Sequence, residues 1–161
     1  MSIQLIATDL DGTLMSADHL TVSTRTKNAL LAAHEKGVKI AIATGRTLDF
    51  IDHVLRQVPF VDYVVYSNGA SVFDCADNKD IFTNHIVPES VQRILQVLNR
   101  LPVYYNLYFD GSMYVQENKM QYYQNNGLPQ EFIDSFMKKA HVCDDLAQTA
   151  QGKSAESVAI Y

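Results

Sequence analysis

Ile3-Gln4-Leu5-Ile6-Ala7-Thr8-Asp9-Leu10-Asp11-Gly12-Thr13 is the stretch that decides the fold. Its opening apolar run reads as a buried parallel strand, and the run ends in two carboxylates and a glycine. In open α/β sheets ligands gather beyond the carboxyl ends of the strands. Two acidic side chains placed there repel each other unless a cation or a shared proton relieves them. Mg²⁺ suits such a place, because it is a hard cation held octahedrally by one or two carboxylates together with a substrate phosphate. Gly12 lets the chain turn away with positive φ, and Thr13 adds a hydroxyl to the same mouth. The plainer alternative is an Asp-Gly-Thr turn that only ends a strand.

Two further strand ends repeat the pattern. Gly37 closes a helix, and Val38-Lys39-Ile40-Ala41-Ile42-Ala43 reads as a second buried strand running into Thr44-Gly45-Arg46. The Thr44 hydroxyl suits a phosphoryl oxygen. Arg46 opens the next helix, and helix starts and arginines both favour phosphate; a solvated arginine is the alternative. Asp62-Tyr63-Val64-Val65-Tyr66 then leads into Ser67-Asn68-Gly69-Ala70. Asn68-Gly69 also reads as a hairpin turn between Val65 and Val72, and the two readings are compatible.

Taken together these strings resemble the haloacid dehalogenase-like phosphotransferase superfamily. Asp9 to Thr13 is similar to its first motif, Asp-x-Asp-Gly-Thr, and Thr44 to its second, a single Ser or Thr. Ala43-Thr44-Gly45-Arg46 and Asn68-Gly69-Ala70 are similar to its Cof-type branch, the subfamily IIB sugar phosphatases. The resemblance implies Asp9 as a nucleophile that forms an aspartyl-phosphate, and Asp11 as the acid that protonates the leaving alkoxide and then the base that activates water. It implies Mg²⁺ as cofactor, with Asp9 and Asp11 on the metal, and phosphate or substrate contacts from Gly12, Thr44, Gly45, Arg46 and Asn68. The family pattern also needs a lysine and a Gly-Asp-x-x-x-Asp cluster, which cannot be placed here: Lys153 and Asp144-Asp145 stand in the wrong context. The chain is therefore expected to be the N-terminal part of a longer protein, with an incomplete core and an unfinished cap, and to turn over little substrate alone.

Composition sets the frame for this reading. The 161 residues are 47 % hydrophobic, enough for one domain or one and part of another. No apolar stretch nears the roughly 18 residues that cross a membrane, and the start has no basic region of a signal peptide. Cys75 and Cys143 suggest no disulfide framework, so a cytoplasmic protein is expected. The net charge of −5 opposes binding to nucleic acid or anionic membranes. His19, His34, His53, His85 and His141 match no zinc spacing and read as surface or core fillers.

The expected architecture is α/β, a Rossmann-like parallel sheet core over residues 1–80 followed by an α/β cap over 81–161. The first strand is expected at the centre of the sheet, beside the strands ending at Ala43 and Tyr66. Leu14 to Val22 is expected to form a hairpin flap, Ser23 to cap a helix carrying Ala29, Leu30 and Ala33, and Leu48, Ile51 and Leu55 to mark the next helix. Beyond residue 80 an extended stretch over Ile81–Val87 is expected. A helix over Pro88–Leu98, a hairpin around Asp110-Gly111, a helix over Glu131–Ala140 and a strand at Ser157–Tyr161 should follow. Tyr104, Tyr105, Tyr108, Tyr114, Tyr122 and Tyr123 crowd one part of this stretch; they read as sheet packing or as a substrate-facing surface.

The expected function is a Mg²⁺-dependent phosphatase of a small phosphorylated metabolite, sugar phosphates first, with nucleotides or a flavin mononucleotide-like substrate as close competitors. The alternatives are a catalytically inactive remnant or assembly module and a phosphomutase of the same superfamily. A homodimer joined through an exposed strand edge is a further expectation.

Overall fold

The computed structural model describes residues 3–124, 127 and 129–161. The chain forms two compact units, Met1–Thr83 and Asn84–Tyr161. In the first, β1 (Leu5–Asp9), β2 (Lys39–Ala43), β3 (Tyr63–Tyr66), β4 (Ser71–Asp74) and β5 (Lys79–Thr83) make a sheet in sequence order. The β1–β2 and β2–β3 pairs are parallel; β3–β4 and β4–β5 are antiparallel hairpins. Helices α1 (Thr24–His34) and α2 (Leu48–Leu55) make the two parallel crossovers. Ser23 caps α1 by accepting from the Thr26 amide at 3.2 Å. Leu14 to Val22 closes as a flap through an antiparallel bridge between Met15 and Val22.

The position of β1 corrects the expectation of a central first strand. Among the described residues β1 pairs with β2 alone and stands at the edge of the sheet, while β2, β3 and β4 each have a neighbour on both sides. An edge strand is covered less than a central one, which is why Leu5 is 52 % exposed and Ile3, just before the strand, 73 %. The core lies instead around β2 and β3, where Ile40, Ile42 and Val64 meet Ile51, Val54 and Val58 from α2 and the residues after it. Leu10, Leu14 and Val22 join this core and anchor both ends of the flap.

At the opposite end of the strands Asp62 ties β2 to β3. Its carboxylate accepts from Lys39 Nζ at 2.6 Å and from the Ile40 amide at 2.9 Å, and lies 3.5 Å from His34 Nδ1. Burial pushes its pKa up, but the bonds from Lys39 and Ile40 outweigh it and the carboxyl titrates below its ordinary 3.8. A folded pKa below the unfolded one gives stability that is complete above pH 3.8 and is lost as pH falls through the folded value. Asp62→Asn is expected to cost about 1–2 kcal/mol near neutrality and to flatten the acid limb of stability, as urea unfolding at several pH values will read. An unchanged acid limb would refute this.

The second unit is built on a four-stranded sheet. Its strands β6 (Tyr105–Phe109), β7 (Ser112–Gln116), β8 (His141–Cys143) and β9 (Ser157–Ile160) lie in the order β8-β7-β6-β9, with only β7–β8 parallel. Helices α3 (Pro88–Leu98), α4 (Gln130–Met137) and α5 (Leu146–Thr149) complete it. Pro88 opens α3, where its missing amide costs nothing. Val91, Leu95 and Leu98 of α3 pack on Tyr105, Leu107 and Phe109 of β6. Most of the clustered tyrosines are packing: Tyr104, Tyr105 and Tyr108 are buried, and Tyr114 stacks between Phe109 and His141.

Lys119 lies in this core at 5 % exposure. Its ammonium donates to the carbonyls of Leu98, Asn99 and Leu101 at 3.1, 3.1 and 2.6 Å, closing the carboxyl end of α3. Cys75 and Cys143 are free thiols. Among the described residues no helix is long and apolar enough to cross a membrane.

Candidate active site

Three strand ends lie side by side in the first unit. Asp9, the last residue of β1, is opposite Ala43 of β2, and Ala43 is opposite Val65 of β3. Backbone bonds join the loops that follow: the Thr44 amide donates to Val65 O (2.9 Å), Ser67 to Arg46 O (2.9 Å) and Asn68 to Thr44 O (3.1 Å). The Asn68-Gly69 hairpin is real, with Tyr66 opposite Ser71, but its loop has four residues and both Ser67 and Asn68 are left-handed. The hairpin turn and the strand-end loop are thus one feature.

The turn after β1 sets the carboxylates. Leu10 and Leu14 are buried at its two ends, and between them Gly12 takes φ +75°. A side chain there would meet no atom but would be strained by that φ. Asp9 is exposed at the mouth, and its Oδ2 accepts from Thr13 Oγ1 at 3.2 Å. Asp11 points to the second strand end. Arg46 grips it bidentately, Nε to Oδ2 at 2.9 Å and Nη2 to Oδ1 at 2.6 Å, with the arginine side chain 10 % exposed. This is the strong, planar kind of charge-assisted pair.

A third group reaches Asp11. His19, on the flap, places Nδ1 2.7 Å from Oδ1, and its carbonyl accepts from Arg46 Nη2 at 3.2 Å. Partial burial pushes the Asp11 pKa up, yet the bonds from Arg46 and His19 outweigh it and hold the carboxyl below the ordinary carboxylate range.

Thr44 is buried, and its Oγ1 accepts from the Arg46 amide at 3.1 Å, which leaves its proton to donate. Gly45 lets Asn68 come close: a Cβ there would lie 2.8 Å from Asn68 Oδ1, and the Asn68 side chain would have to move. The structure therefore brings Asp11, Arg46 and His19 into direct contact and Gly45 against Asn68. Asp9 meets Thr13 through Oδ2 and shares the strand end with the others. Arg46, expected to face a phosphate or substrate oxygen, is engaged with Asp11.

For Mg²⁺ the donor set is of the right chemistry but partial. Asp9 offers a hard carboxylate oxygen, and main-chain carbonyls follow it; the Asp11 carboxylate is turned to Arg46 and His19. Among the described residues no group of three acidic, histidine or cysteine side chains could hold a metal ion. An octahedral ion here would complete its shell with substrate oxygens and water.

Comparison with known proteins finds likeness in both sequence and fold. The family described as haloacid dehalogenase-like hydrolase matches residues 6–158. The chain is 32 % identical over 90 residues to the 5-amino-6-(5-phospho-D-ribitylamino)uracil phosphatase YcsE of Bacillus subtilis (strain 168), covering 53 % of this chain and 36 % of that protein. It is 28 % identical over 116 residues to the phosphatase YwpJ of the same organism, covering 72 % and 40 %. Among solved structures a haloacid dehalogenase-like hydrolase from B. subtilis matches with TM-score 0.79 at 19 % identity, covering 95 % of this chain and 59 % of that one. The subclass IIB sugar phosphatase BT4131 matches with TM-score 0.69 at 25 % identity, covering 96 % and 56 %. The chain spans about half the length of the curated relatives it matches.

Proposed function

This chain belongs to the haloacid dehalogenase-like hydrolase family, and from that premise we propose that it serves a Mg²⁺-dependent phosphatase acting on small phosphorylated metabolites, sugar phosphates first. The observation that carries the reading is the pair of carboxylates after β1, one exposed at the mouth and the other held by an arginine from the neighbouring strand end. The first unit supplies the chemistry, and the unit from residue 84 onward is the cap that selects the leaving group.

Asp9 attacks phosphorus, the bond to the leaving oxygen breaks, and Asp11 gives that oxygen a proton; Arg46 and His19 hold the resting Asp11 carboxyl ionised, so it takes up that proton as the substrate phosphate draws Arg46 away. Water then attacks the aspartyl-phosphate while Asp11 takes its proton back, releasing inorganic phosphate and restoring Asp9. Thr13 orients Asp9 through Oδ2, the Thr44 hydroxyl donates to a phosphoryl oxygen, and the Gly12 turn opens the mouth. Mg²⁺, held by Asp9 and a main-chain carbonyl such as that of Asp11, would neutralise phosphoryl charge. The cytosol is the proposed compartment.

A second substrate reading rests on the relative YcsE, whose name gives a phosphorylated ribitylaminouracil; it favours flavin- or nucleotide-like phosphates. Both are tested by phosphate release from a panel of sugar phosphates, nucleoside monophosphates and flavin mononucleotide, using this chain and the longest protein that carries it. Hydrolysis is expected to need Mg²⁺ and to stop on adding a chelator, with the longer protein the faster of the two. Chelator-insensitive hydrolysis would overturn the mechanism.

A further inference from the structure

His19 lies outside every motif of the strand ends, yet it makes two contacts to the acid–base pair. Its ring reaches Asp11 Oδ1 at 2.7 Å and its carbonyl accepts from Arg46 Nη2 at 3.2 Å, closing a triangle of carboxylate, guanidinium and flap. The backbone at His19 is left-handed, φ +56°, a conformation that costs an L-residue with a Cβ and sits more easily with Gly or Asn. Strain retained beside reacting groups points to a task for the side chain.

The flap does not need the imidazole for its own shape. Asp18 accepts from the Leu20 and Thr21 amides at 2.9 and 3.0 Å and from Thr21 Oγ1 at 2.7 Å. The Ser16 amide donates to Thr21 O and the His19 amide to Ser16 O. From the end of α2, Gln57 donates to Leu20 O at 2.9 Å and accepts from the Val22 amide at 3.0 Å, fixing the base of the flap. The turn is thus built by Asp18, Ser16, Thr21 and Gln57, and it delivers the His19 ring to Asp11.

We propose that His19 is a positioning residue for the reaction: together with Arg46 it fixes the Asp11 carboxylate in one rotamer and makes the seating of the flap a condition for Asp11 to be aligned. The proposal rests on the acid–base role given to Asp11 above.

Three variants test it, each in this chain and in the longest protein that carries it. His19→Gly keeps the carbonyl that Arg46 uses, relieves the left-handed strain and removes the ring; its thermal midpoint should not fall. Its kcat for a Mg²⁺-supported phosphomonoester should nevertheless drop about tenfold, the worth of one hydrogen bond to a charged group, with KM within about twofold. His19→Asn tolerates the same φ and carries an amide nitrogen near the place of Nδ1, so it should recover most of that loss. A residue that only shapes the flap would give His19→Gly full activity, and that result overturns the proposal. Independently of turnover, the His19 ring ¹⁵N resonances should move in Asp11→Asn; unmoved resonances overturn it as well. If the ring responds and no form of the protein hydrolyses any ester, the His19–Asp11 contact holds but its role in the reaction is overturned together with the phosphatase reading; a ring that responds in a protein that hydrolyses, with His19→Gly fully active, overturns the positioning role alone.

Discussion

In a longer protein that carries this chain, Asp9→Asn is expected to reduce phosphomonoester hydrolysis to background, while Asp11→Asn lowers it by about 10²–10⁴-fold, the usual worth of general acid–base catalysis. The two carboxylates differ by environment. Asp9 stands exposed, with one oxygen accepting from Thr13, so an oxygen remains to attack phosphorus, and an amide in its place is no nucleophile. Asp11 is held as a carboxylate by Arg46 and His19, the base form that activates water in the second step. p-Nitrophenyl phosphate separates the roles, because its leaving group departs without an acid. With that substrate Asp11→Asn should release a burst of nitrophenol near one equivalent and then turn over slowly. Asp9→Asn should give no burst. An Asp9→Asn protein with unchanged turnover would end the covalent mechanism, and a burst from it would exchange the assignments.

Lys119→Met is expected to destabilise the second unit by about 3 kcal/mol. Methionine replaces the apolar stem at similar volume, so the loss isolates the ammonium. The part-buried carbonyls of Asn99 and Leu101 then lose the ammonium, while Leu98 O keeps the Leu101 amide at 3.1 Å; each unsatisfied group costs about 1 kcal/mol or more, and the lost charge at the helix's negative end adds up to about 1 kcal/mol. Lys119→Arg should recover only part, since a planar fork cannot converge on three oxygens as an ammonium does. Urea unfolding of the three forms measures the difference. A Lys119→Met protein within about 0.5 kcal/mol of the parent would mean that water satisfies these carbonyls instead.

What could be read from the chain alone follows from how far each signal reaches. The three strand ends were legible because each short string follows its own apolar run, and α3 because Val91, Leu95 and Leu98 recur at helical spacing after Pro88. The place of β1 was not, since strand order depends on which neighbours exist and leaves no mark on the strand's composition. The three residues of β8 and the four of α5 are too short to show a period, and β8 exists through its pairing with β7. Within the site, the residue types at the mouth were evident, but the Arg46–Asp11 pair joins positions 35 apart in sequence. His19 was set aside for lacking a metal spacing, and a hydrogen bond to a carboxylate imposes none. Lys119 gave no signal, because a lysine between periodic segments looks like any solvated one.

The approach of Asn68 to Gly45 has a consequence for anyone wishing to re-engineer this mouth. The two positions are coupled: a side chain added at 45 enters the space that the tip of Asn68 fills, so Asn68 must move or be shortened to admit it. Gly45→Ala is best accommodated alongside a smaller residue at 68 that also accepts the left-handed backbone found there, which makes glycine the natural partner. Positions 45 and 68 are therefore best exchanged as a pair.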